Sequence, residues 1–409
     1  MTSSPDSRSP SSLTTASDRE TLTVLIAGAT LLLVVHTLGR FFFTPLLPYL
    51  VEDGQLDAGQ GAVVATWNYL GYLMGALLAI RWHRVDQIRV LLPLALLVHV
   101  ITMLAQTQAE GVPLLSGLRW LNGVANGVVF VQAPALILEW LVLRNRAALS
   151  GLVYLGVSFG LLLSSGLVSL TSELLTGAER WWPAAILSIP LAWWGVHRLR
   201  RLDVPVRVAG TGIPTQTKGP LLDRGSLALF SAYAGAGLGY ILPMTFLPLF
   251  AQAQLAKGDW LIDGSWLVVA LATIPSVWLW NHLGARFGDL AALRVNFLIQ
   301  LLGVLAAVLL PGPLGILLCA ALVGSTFIGT VLLTQRIGRA LHPHQGPRLS
   351  AALVALYGLA QMAGPWLARE WIMIGGTLET AFWIGVVALA WGLVFTLMVP
   401  EPEVWHSRG

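Results

Sequence analysis

Residues 22–51, LTVLIAGATLLLVVHTLGRFFFTPLLPYLV, form a long apolar run that contains one histidine and one arginine. About 20 apolar residues in a helix span the hydrocarbon core of a bilayer, so this run is long enough to cross it. An arginine at the centre of such a helix costs about 2.5–3.5 kcal/mol, and it is placed where it meets a partner or water rather than lipid. The stretch therefore predicts a transmembrane helix, and it marks His36 and Arg40 as candidate functional residues.

The composition extends this prediction to the whole chain. Of its 409 residues, 56% are hydrophobic and only 11% are charged, against roughly 25% charged residues in an average soluble domain. Apolar runs of spanning length recur between short polar loops, which predicts an all-α membrane protein with the lipid bilayer as its surroundings. The twelve predicted transmembrane helices cover residues 22–51, 60–80, 90–108, 113–139, 147–171, 181–197, 227–251, 262–282, 291–310, 314–335, 349–368 and 378–399.

Basic residues are distributed unequally between the two sets of loops. If the N-terminus is cytoplasmic, nineteen Lys and Arg residues fall in inner segments and three, Arg180, Lys257 and Arg369, fall in outer ones. Positively charged loops stay inside, so we expect both termini in the cytoplasm and the chain in the plasma membrane, which is the inner membrane in a Gram-negative source. The pI of about 9.5 then reflects topology rather than nucleic-acid binding.

The longest polar interval divides the predicted helices six and six. The halves also repeat at an offset of 200, since GRFFFTPLLP at 39–48 and GYILPMTFLP at 239–248 share a glycine, a leucine and a proline at matched positions. Two repeated six-helix bundles are typical of transporters whose substrate site lies between the halves. The predicted units are a disordered cytoplasmic tail (1–21), an N-terminal bundle (22–197), a cytoplasmic linker (198–226), a pseudo-symmetric C-terminal bundle (227–400) and a cytoplasmic tail (401–409).

Polar residues of the first half fall on helix faces that would line a central cavity, because they recur one or two turns apart. The predicted substrate-binding residues of this half are His36, Arg40, Asn68, Tyr72, Arg119, Asn122 and Asn126. A structural interpretation stays open beside this one. In it, Arg40 reaches the interface or donates to carbonyls freed by Pro45 and Pro48, and the asparagines only tie helices together.

The second half offers hydroxyls and amides without fixed charge, namely Tyr233, Tyr240, Thr326, Thr330, Tyr357 and Gln361. We predict that Tyr240, Thr326 and Gln361 contact the solute, although each alone is compatible with a satisfied core group. His99, Asn296 and Gln300 are expected to bond neighbouring helices.

Several kinds of chemistry have no motif in this sequence. We expect no carboxylate inside the membrane apart from Glu139 near an inner helix end, and therefore no carboxylate proton relay. If protons are coupled to transport, His36 is the titrating candidate. No phosphate-binding loop and no metal-ligand spacing occurs, and the lone Cys319 lies in an apolar run. We expect no enzyme activity, no cofactor and no metal site.

Five segments resemble a known family. GRFFFTPLLPYLVEDGQLDAGQGAVVATWNYLGYLMGALLA (39–79) is similar to the start of the YbfB/YjiJ branch of the major facilitator superfamily (MFS). RWLNGVANGVVFV (119–131), GYILPMTFLP (239–248), LVGSTFIGTV (322–331) and YGLAQMAGP (357–365) resemble its other recurring segments. The resemblance covers nearly the whole chain outside the tail and the central loop.

This resemblance implies two bundles around a central cavity lined by spans 1, 4, 7 and 10, alternating access, and a monomer. The family's loop motifs are matched only in part, by IRWHRVDQIR at 80–89 and LGARFGD at 283–289. Within these loops the candidates for an inner gate are Arg81, Arg84, Asp86 and Arg286.

Together these features predict a secondary active transporter of a small organic solute. Two intramembrane arginines without a nearby carboxylate favour an anionic solute. Efflux of hydrophobic or multidrug compounds is the alternative within the same class. A membrane receptor or scaffold without transport is the alternative of another class.

Overall fold

The structure is a computed structural model that describes residues 17–204, 223–341 and 346–401. Those residues form helices joined by short loops and contain no strand. The α-helices are α1 (Asp18–Leu32), α2 (Phe43–Glu52), α3 (Ala58–Arg81), α4 (Val85–Gln106), α5 (Val112–Val142), α6 (Leu155–Thr171), α7 (Trp182–Leu199), α8 (Arg224–Gln254), α9 (Leu261–Thr273), α10 (Ser276–Phe287), α11 (Asp289–Leu309), α12 (Pro313–Gly324), α13 (Phe327–Leu341), α14 (Gly346–Met373) and α15 (Leu378–Met398).

Within the described residues, ten helical stretches are long and apolar enough to cross a membrane. The bent pair of α9 and α10, which meet at 42°, raises the count to eleven if it forms one span. The all-helical, multi-pass membrane architecture is thereby confirmed. The predicted span at 181–197 coincides with α7, which is not among these stretches because its prolines and its terminal His197 and Arg198 lower its hydropathy. The number twelve stays a prediction.

The N-terminal boundary differs from the predicted one. Ser17 caps α1 by accepting a hydrogen bond from the Glu20 amide at 3.1 Å, so the helix begins at Asp18, inside the predicted tail. Serine is favoured at this position because its hydroxyl satisfies a free amide of the first turn. The rest of that tail (1–16), most of the predicted linker (205–222) and most of the C-terminal tail (402–409) lie outside the described residues.

The first span contains a π-helical segment, Leu33–Phe41, between α1 and α2. The Phe42 amide donates to the Thr37 carbonyl five residues earlier, at 2.7 Å. Pro45 follows this segment and carries no amide hydrogen, so it donates to none of the preceding carbonyls. π-turns of this kind are frequent at functional sites.

Helices α3 and α5 pack backbone against backbone. A Cβ atom on Gly71 would lie 2.1 Å from the Trp120 carbonyl oxygen, and one on Gly123 would lie 2.2 Å from the Asn68 carbonyl oxygen. Small residues permit this approach, and the close contact places the polar residues of α3 beside those of α5.

Within the described residues, four hydrogen bonds join the later part of the first span to the second half, and three others join α3 and α6 to it. Thr44 Oγ1 donates to the carbonyl of Met244, its counterpart at an offset of 200, at 2.7 Å. Tyr49 Oη donates to Asp263 Oδ2 at 2.6 Å. In the described part of the chain, every hydrogen bond from this span to the second half involves Arg40 or a later residue. The halves are thus bonded from midspan to the end that is predicted to be outer.

Asp263 lies inside the predicted eighth span, so the expectation of a membrane without carboxylates other than Glu139 is wrong. Asp263 is in the first turn of α9, where the helix dipole stabilises a negative charge. Tyr49 binds one of its oxygens, and Oδ1 has no partner within the described residues. Glu379, within the predicted twelfth span, is likewise in the first turn of α15.

Arg180, in the loop after span 5, forms an ion pair with Asp53 at the end of α2. Its Nε and Nη2 donate to the two carboxylate oxygens of Asp53 at 2.5 and 3.0 Å. Partial burial raises the pKa of the Asp53 carboxyl, but hydrogen bonds from Arg180 and from the Gly177 amide outweigh it and lower the pKa below its ordinary value. This outer arginine therefore has a structural contact.

Candidate functional site

Arg40 lies at the junction of the two halves, and only 2% of its surface is exposed. Its Nη2 donates to Gln361 Oε1 at 2.6 Å. The guanidinium carbon is 4.2 Å from the ring centre of Tyr72 and 4.5 Å from that of Tyr69, which are cation–π distances. The guanidinium is thus surrounded by one amide and by aromatic rings.

No carboxylate pairs with Arg40 within the described ranges, where the ion pairs belong to other arginines and to Lys257. Its Nε also has no hydrogen-bond partner there. A buried charge without a counter-ion costs free energy, and an anion placed against it would recover part of that cost. The electrostatics at this position favour an anionic ligand.

Gln361 of α14 continues the contact into the second half. Its Nε2 donates to Tyr240 Oη of α8 at 2.5 Å, so Arg40, Gln361 and Tyr240 form one chain of hydrogen bonds. The Tyr240 ring stacks on Tyr357 with centroids 5.5 Å apart and on Phe327 at 5.7 Å. The second half therefore presents neutral polar groups and ring faces to the junction.

His36 lies about one turn from Arg40 and is 8% exposed. Its ring stacks on Phe130 with centroids 4.4 Å apart and meets the edge of Tyr72 at 6.2 Å. The His36 Nδ1 has no hydrogen-bond partner among the described residues. The first half thus contributes a second aromatic group and a second unpaired polar atom.

Arg119 has different partners. Its Nη1 donates to the carbonyl of Gly39, and its Nη2 donates to the carbonyl of Arg40 at 2.9 Å. Both carbonyls belong to the π-helical segment. The sequence placed Arg119 in substrate binding, which stays a prediction; the contacts observed here are to backbone.

The asparagines of the first half bond to neighbouring helices. Asn126 Oδ1 contacts His99 Nδ1 at 2.9 Å, and Asn126 Nδ2 donates to Asn122 Oδ1 at 2.9 Å. Asn122 Nδ2 donates to Thr102 Oγ1 at 2.9 Å, and Asn68 Nδ2 donates to the Arg119 carbonyl at 2.8 Å. The network joins α3, α4 and α5, and the predicted helix-bonding role of His99 agrees with it.

In the second half, span 10 breaks between α12 and α13 at Ser325 and Thr326. The carbonyl of Thr326 accepts from Asn296 Nδ2 at 3.0 Å, and its hydroxyl donates to the carbonyl of Leu322 at 2.6 Å. Asn296 therefore bonds a neighbouring helix, as predicted. Gln300 does not, since neither of its side-chain polar atoms has a partner in the described part of the chain.

Of the four predicted inner-gate residues, only Arg84 and Asp86 form an ion pair with each other within the described residues. Arg84 Nε pairs with Asp86 Oδ1 at 3.1 Å at the exposed start of α4, while Arg81 is exposed. Arg286 lies 5.2 Å from the ring centre of its neighbour Phe287. Their role in gating stays a prediction.

Close to Arg286 in the sequence, the inner-gate prediction missed an ion pair, Arg336 Nε to Asp289 Oδ2 at 3.0 Å. It joins α11 to α13. Asp289 ends the loop segment LGARFGD, but Arg336 lies in a separate segment, so no local spacing predicts the pair.

Three rings of the site were also missed, namely Tyr69, Phe130 and Phe327. Phe130 follows Asn126 by four residues, so the helical stripe that predicted the asparagines reaches it. Tyr69 lies three residues before Tyr72, so the two residues share a helix face. An aromatic residue in an apolar helix is otherwise unremarkable, which is why the stripe is the only sequence signal.

No group of three or more potential metal ligands occurs within residues 17–204, 223–341 and 346–401. Cys319 is a free thiol buried in α12. The polar atoms of the site are instead one cation, one imidazole, one amide and several phenols.

Comparison with known proteins bears on the whole chain. The model of a family described as "Uncharacterised MFS-type transporter YbfB" matches residues 32–397. No curated protein matches the chain. A crystal structure of a mutant of the nucleoside transporter NupG is similar over 93% of this chain and 100% of that one, with a TM-score of 0.70 and 14% sequence identity. At that identity the likeness concerns the fold alone.

Proposed function

We propose that this chain, which belongs to the family of the MFS-type transporter YbfB, moves a small organic anion across the cytoplasmic membrane by alternating access. The family and the fold make the chain a multi-pass membrane transporter rather than an enzyme. The observation that carries the anion is the buried Arg40 guanidinium, which has an unpaired Nε and no carboxylate partner among the described residues.

In this proposal Arg40 binds the anionic group. The hydrogen bonds from Arg40 to Gln361 and from Gln361 to Tyr240 couple this binding to the second half. A carboxylate that takes two guanidinium N–H groups competes with Gln361 for Nη2, because a charge-assisted bond is stronger than one to a neutral amide. Substrate binding would then loosen a bond that joins the halves. His36 and Tyr72 line the same space, and Arg119 with Asn68, Asn122 and Asn126 holds the helices that carry them.

The access path follows from where the halves are bonded. The hydrogen bonds of the first span to the second half lie on the predicted outer side, which corresponds to a transporter closed outward. We place both termini in the cytoplasm and count α7 as the sixth span in chain order, which brings the total to twelve, since its 18 residues make a helix of about 27 Å. Residues 22–197 and 227–400 would be the two bundles that rock against each other.

The test is binding and transport with charge-matched variants. The purified protein in detergent is screened by thermal shift against organic anions, organic cations and neutral solutes, since a ligand at 100 times its Kd adds about 2.7 kcal/mol to the folded state. Hits are then assayed for counterflow in proteoliposomes. Arg40→Gln should weaken anion binding about 10- to 100-fold. The control is Arg369→Gln, which removes a half-exposed arginine from the end of α14.

Two rivals are separated by the same data. The ring faces around Tyr240 also favour hydrophobic compounds, so hydrophobic drugs belong in the panel. Nucleosides belong there as well, because NupG is a nucleoside transporter. Neutral or cationic hits that survive Arg40→Gln would overturn the anion proposal in favour of efflux or neutral solutes. Binding without counterflow would point to a receptor. A pH-independent rate would remove His36 as a proton-coupling candidate.

A further inference from the structure

We infer that the solute is an aromatic monocarboxylate, a planar ring bearing a single carboxylate. The inference rests on the proposed function and adds the charge number and the shape of the substrate to it. It depends on three observations: how many cationic groups are available, what surrounds them, and how few other polar atoms are left unpaired.

Arg40 is the cationic group of the site that is not committed to main-chain carbonyls. Arg119 is the other buried arginine nearby; both of its terminal nitrogens donate to the carbonyls of Gly39 and Arg40, which leaves only its Nε without a partner within the described residues. Arg40 keeps an unpaired Nε, and His36 about one turn away keeps an unpaired Nδ1, both within the described residues. One carboxylate can accept from both of these atoms, with the neutral imidazole donating through Nδ1. A dicarboxylate would bring a second charge, for which only the single Nε–H of Arg119 is left unpaired near Arg40 among the described residues.

The surroundings of this cation are aromatic on both halves. On the first half, His36 and Phe130 stack with an interplanar angle of 26°. On the second half, Tyr240 and Tyr357 stack at 12°. Arg40 connects the two groups, since it lies over the Tyr72 ring and is joined through Gln361 to Tyr240. A planar ring attached to the carboxylate would find ring faces and edges to pack on, which aromatic pairs favour.

Several other polar groups at the junction are already committed. The Gln361 amide accepts from Arg40 and donates to Tyr240, and Tyr69 Oη is bonded to Thr245 Oγ1 at 2.7 Å, whereas Asn68 Oδ1 has no partner among the described residues. A sugar or another polyhydroxylated solute would bury several hydroxyls against these rings with few acceptors to pair them, and each unpaired hydroxyl costs binding energy. A neutral nucleoside would, in addition, leave the Arg40 charge uncompensated.

The experiment compares probes that differ in one property at a time. Benzoate is the reference; cyclohexanecarboxylate keeps the charge and ring size without aromaticity, benzamide keeps the ring without the charge, succinate adds a second carboxylate, and adenosine is a neutral ring with a sugar. Thermal shift and tryptophan fluorescence give affinities on the full chain in detergent. We expect benzoate to bind about 3- to 10-fold tighter than cyclohexanecarboxylate, and the other three probes to bind more weakly still.

A pair of ring variants tests the packing directly. Phe130→Leu removes the ring that stacks on His36, whereas Phe159→Leu removes a 53% exposed ring on α6. Only Phe130→Leu should weaken benzoate, by about 3- to 10-fold, with cyclohexanecarboxylate changed less than about 2-fold. If Phe130→Leu does not fold, Tyr357→Leu provides the same comparison from the other half.

The outcomes separate this inference from the function on which it rests. Equal affinity for benzoate and cyclohexanecarboxylate, or a preference for succinate, overturns the aromatic monocarboxylate while an Arg40-dependent anion transporter stands. Binding of benzamide or adenosine that Arg40→Gln leaves intact overturns both. Benzoate-selective binding that is lost in Arg40→Gln and in Phe130→Leu supports both.

Discussion

Two arginines buried in the first half have different kinds of partner. Arg119 donates through both terminal nitrogens to the carbonyls of Gly39 and Arg40. Arg40 directs its own guanidinium toward an amide and three rings, and the Nε of each arginine is unpaired within the described residues. One guanidinium donates to main-chain carbonyls, and in the proposed function the other receives the ligand.

Replacing Arg119 should therefore lower the free energy of unfolding, with little direct effect on which solutes the protein binds. Arg119→Gln leaves two buried carbonyls short of a donor, and we expect unfolding to become easier by about 2–4 kcal/mol. The midpoint of thermal unfolding in detergent is the measurement, and Arg369→Gln is the matched loss of a charge near the surface. An unchanged midpoint together with lost anion binding would instead place Arg119 in direct contact with the solute.

The sequence predicts that Arg40 and Arg119 avoid lipid, because an arginine within an apolar run is costly to expose to hydrocarbon. It does not predict their partners. Which carbonyls are free depends on the π-winding of Leu33–Phe41, and the bond to Gln361 joins residues that are 321 positions apart. Neither is encoded in a local pattern.

At the scale of helices, glycine sets how closely neighbouring elements approach. Gly123 of α5 has no room for a side chain beside the Asn68 backbone of α3, whereas a Cβ on Gly117 of the same helix would meet nothing within 4 Å. The two positions lie less than two turns apart. Alanine replaces glycine in the same helix at both positions, so a difference in stability between the two variants measures the packing at Gly123 rather than the helix propensity of glycine.

Gly123→Ala and Gly117→Ala should accordingly change stability in opposite directions. The first forces α3 and α5 apart and should destabilise the protein by about 1–3 kcal/mol. The second adds a methyl group on an exposed face and should be neutral or stabilise the helix by up to about 1 kcal/mol. Thermal unfolding of both variants in the same detergent decides it, and equal effects would contradict the packing at Gly123.

Apolar run length predicts that helices exist and roughly where they end, but not where they are interrupted. The break of span 10 at Ser325 is stabilised by Trp280, whose Nε1 donates to the Ser325 carbonyl at 2.6 Å. The donor lies on α10, 45 residues earlier in the sequence. Such breaks depend on tertiary contacts, so hydropathy alone shows one continuous span at 314–335.

Across the whole molecule, a few polar bonds join α2, on the predicted outer side, to the second half. Tyr49 to Asp263, Thr44 to Met244 and the exposed pair of Lys257 with Glu52 all lie between α2 and the second half. Bonds of this number are few enough to be exchanged during a transport cycle. Their positions also agree with the predicted repeat, since Thr44 meets its own counterpart.

Tyr49→Phe should open this side more often. The variant keeps the ring but leaves Asp263 Oδ2 without its donor, a loss of about 1–2 kcal/mol, or 5- to 30-fold in the open population. Hydrogen exchange of the α2 amides, followed by mass spectrometry, should rise by that factor. Tyr154→Phe, on the other side of the first half, is the control. Exchange that stays unchanged in Tyr49→Phe would show that the Tyr49 bond does not hold the halves together.

The overall organisation was accessible from sequence because a bilayer imposes simple rules on length, charge and repetition. The offset of 200 between GRFFFTPLLP and GYILPMTFLP is visible without coordinates. Asp263 escaped notice because it lies at the end of an apolar run, where run length alone does not distinguish a membrane residue from an interfacial one. Its contact with Tyr49 requires the two halves to be docked.

The burial of Cys319 has a practical consequence. It is the only cysteine of the chain, and none of its surface is exposed. A thiol buried in apolar surroundings is chemically inert. The natural chain therefore serves directly as a silent background for spectroscopy, because a cysteine introduced at Glu52 on one half and at Lys257 on the other would take a pair of spin labels or dyes without removal of a native thiol. The distance between those two labels would then measure how far the halves move apart during transport.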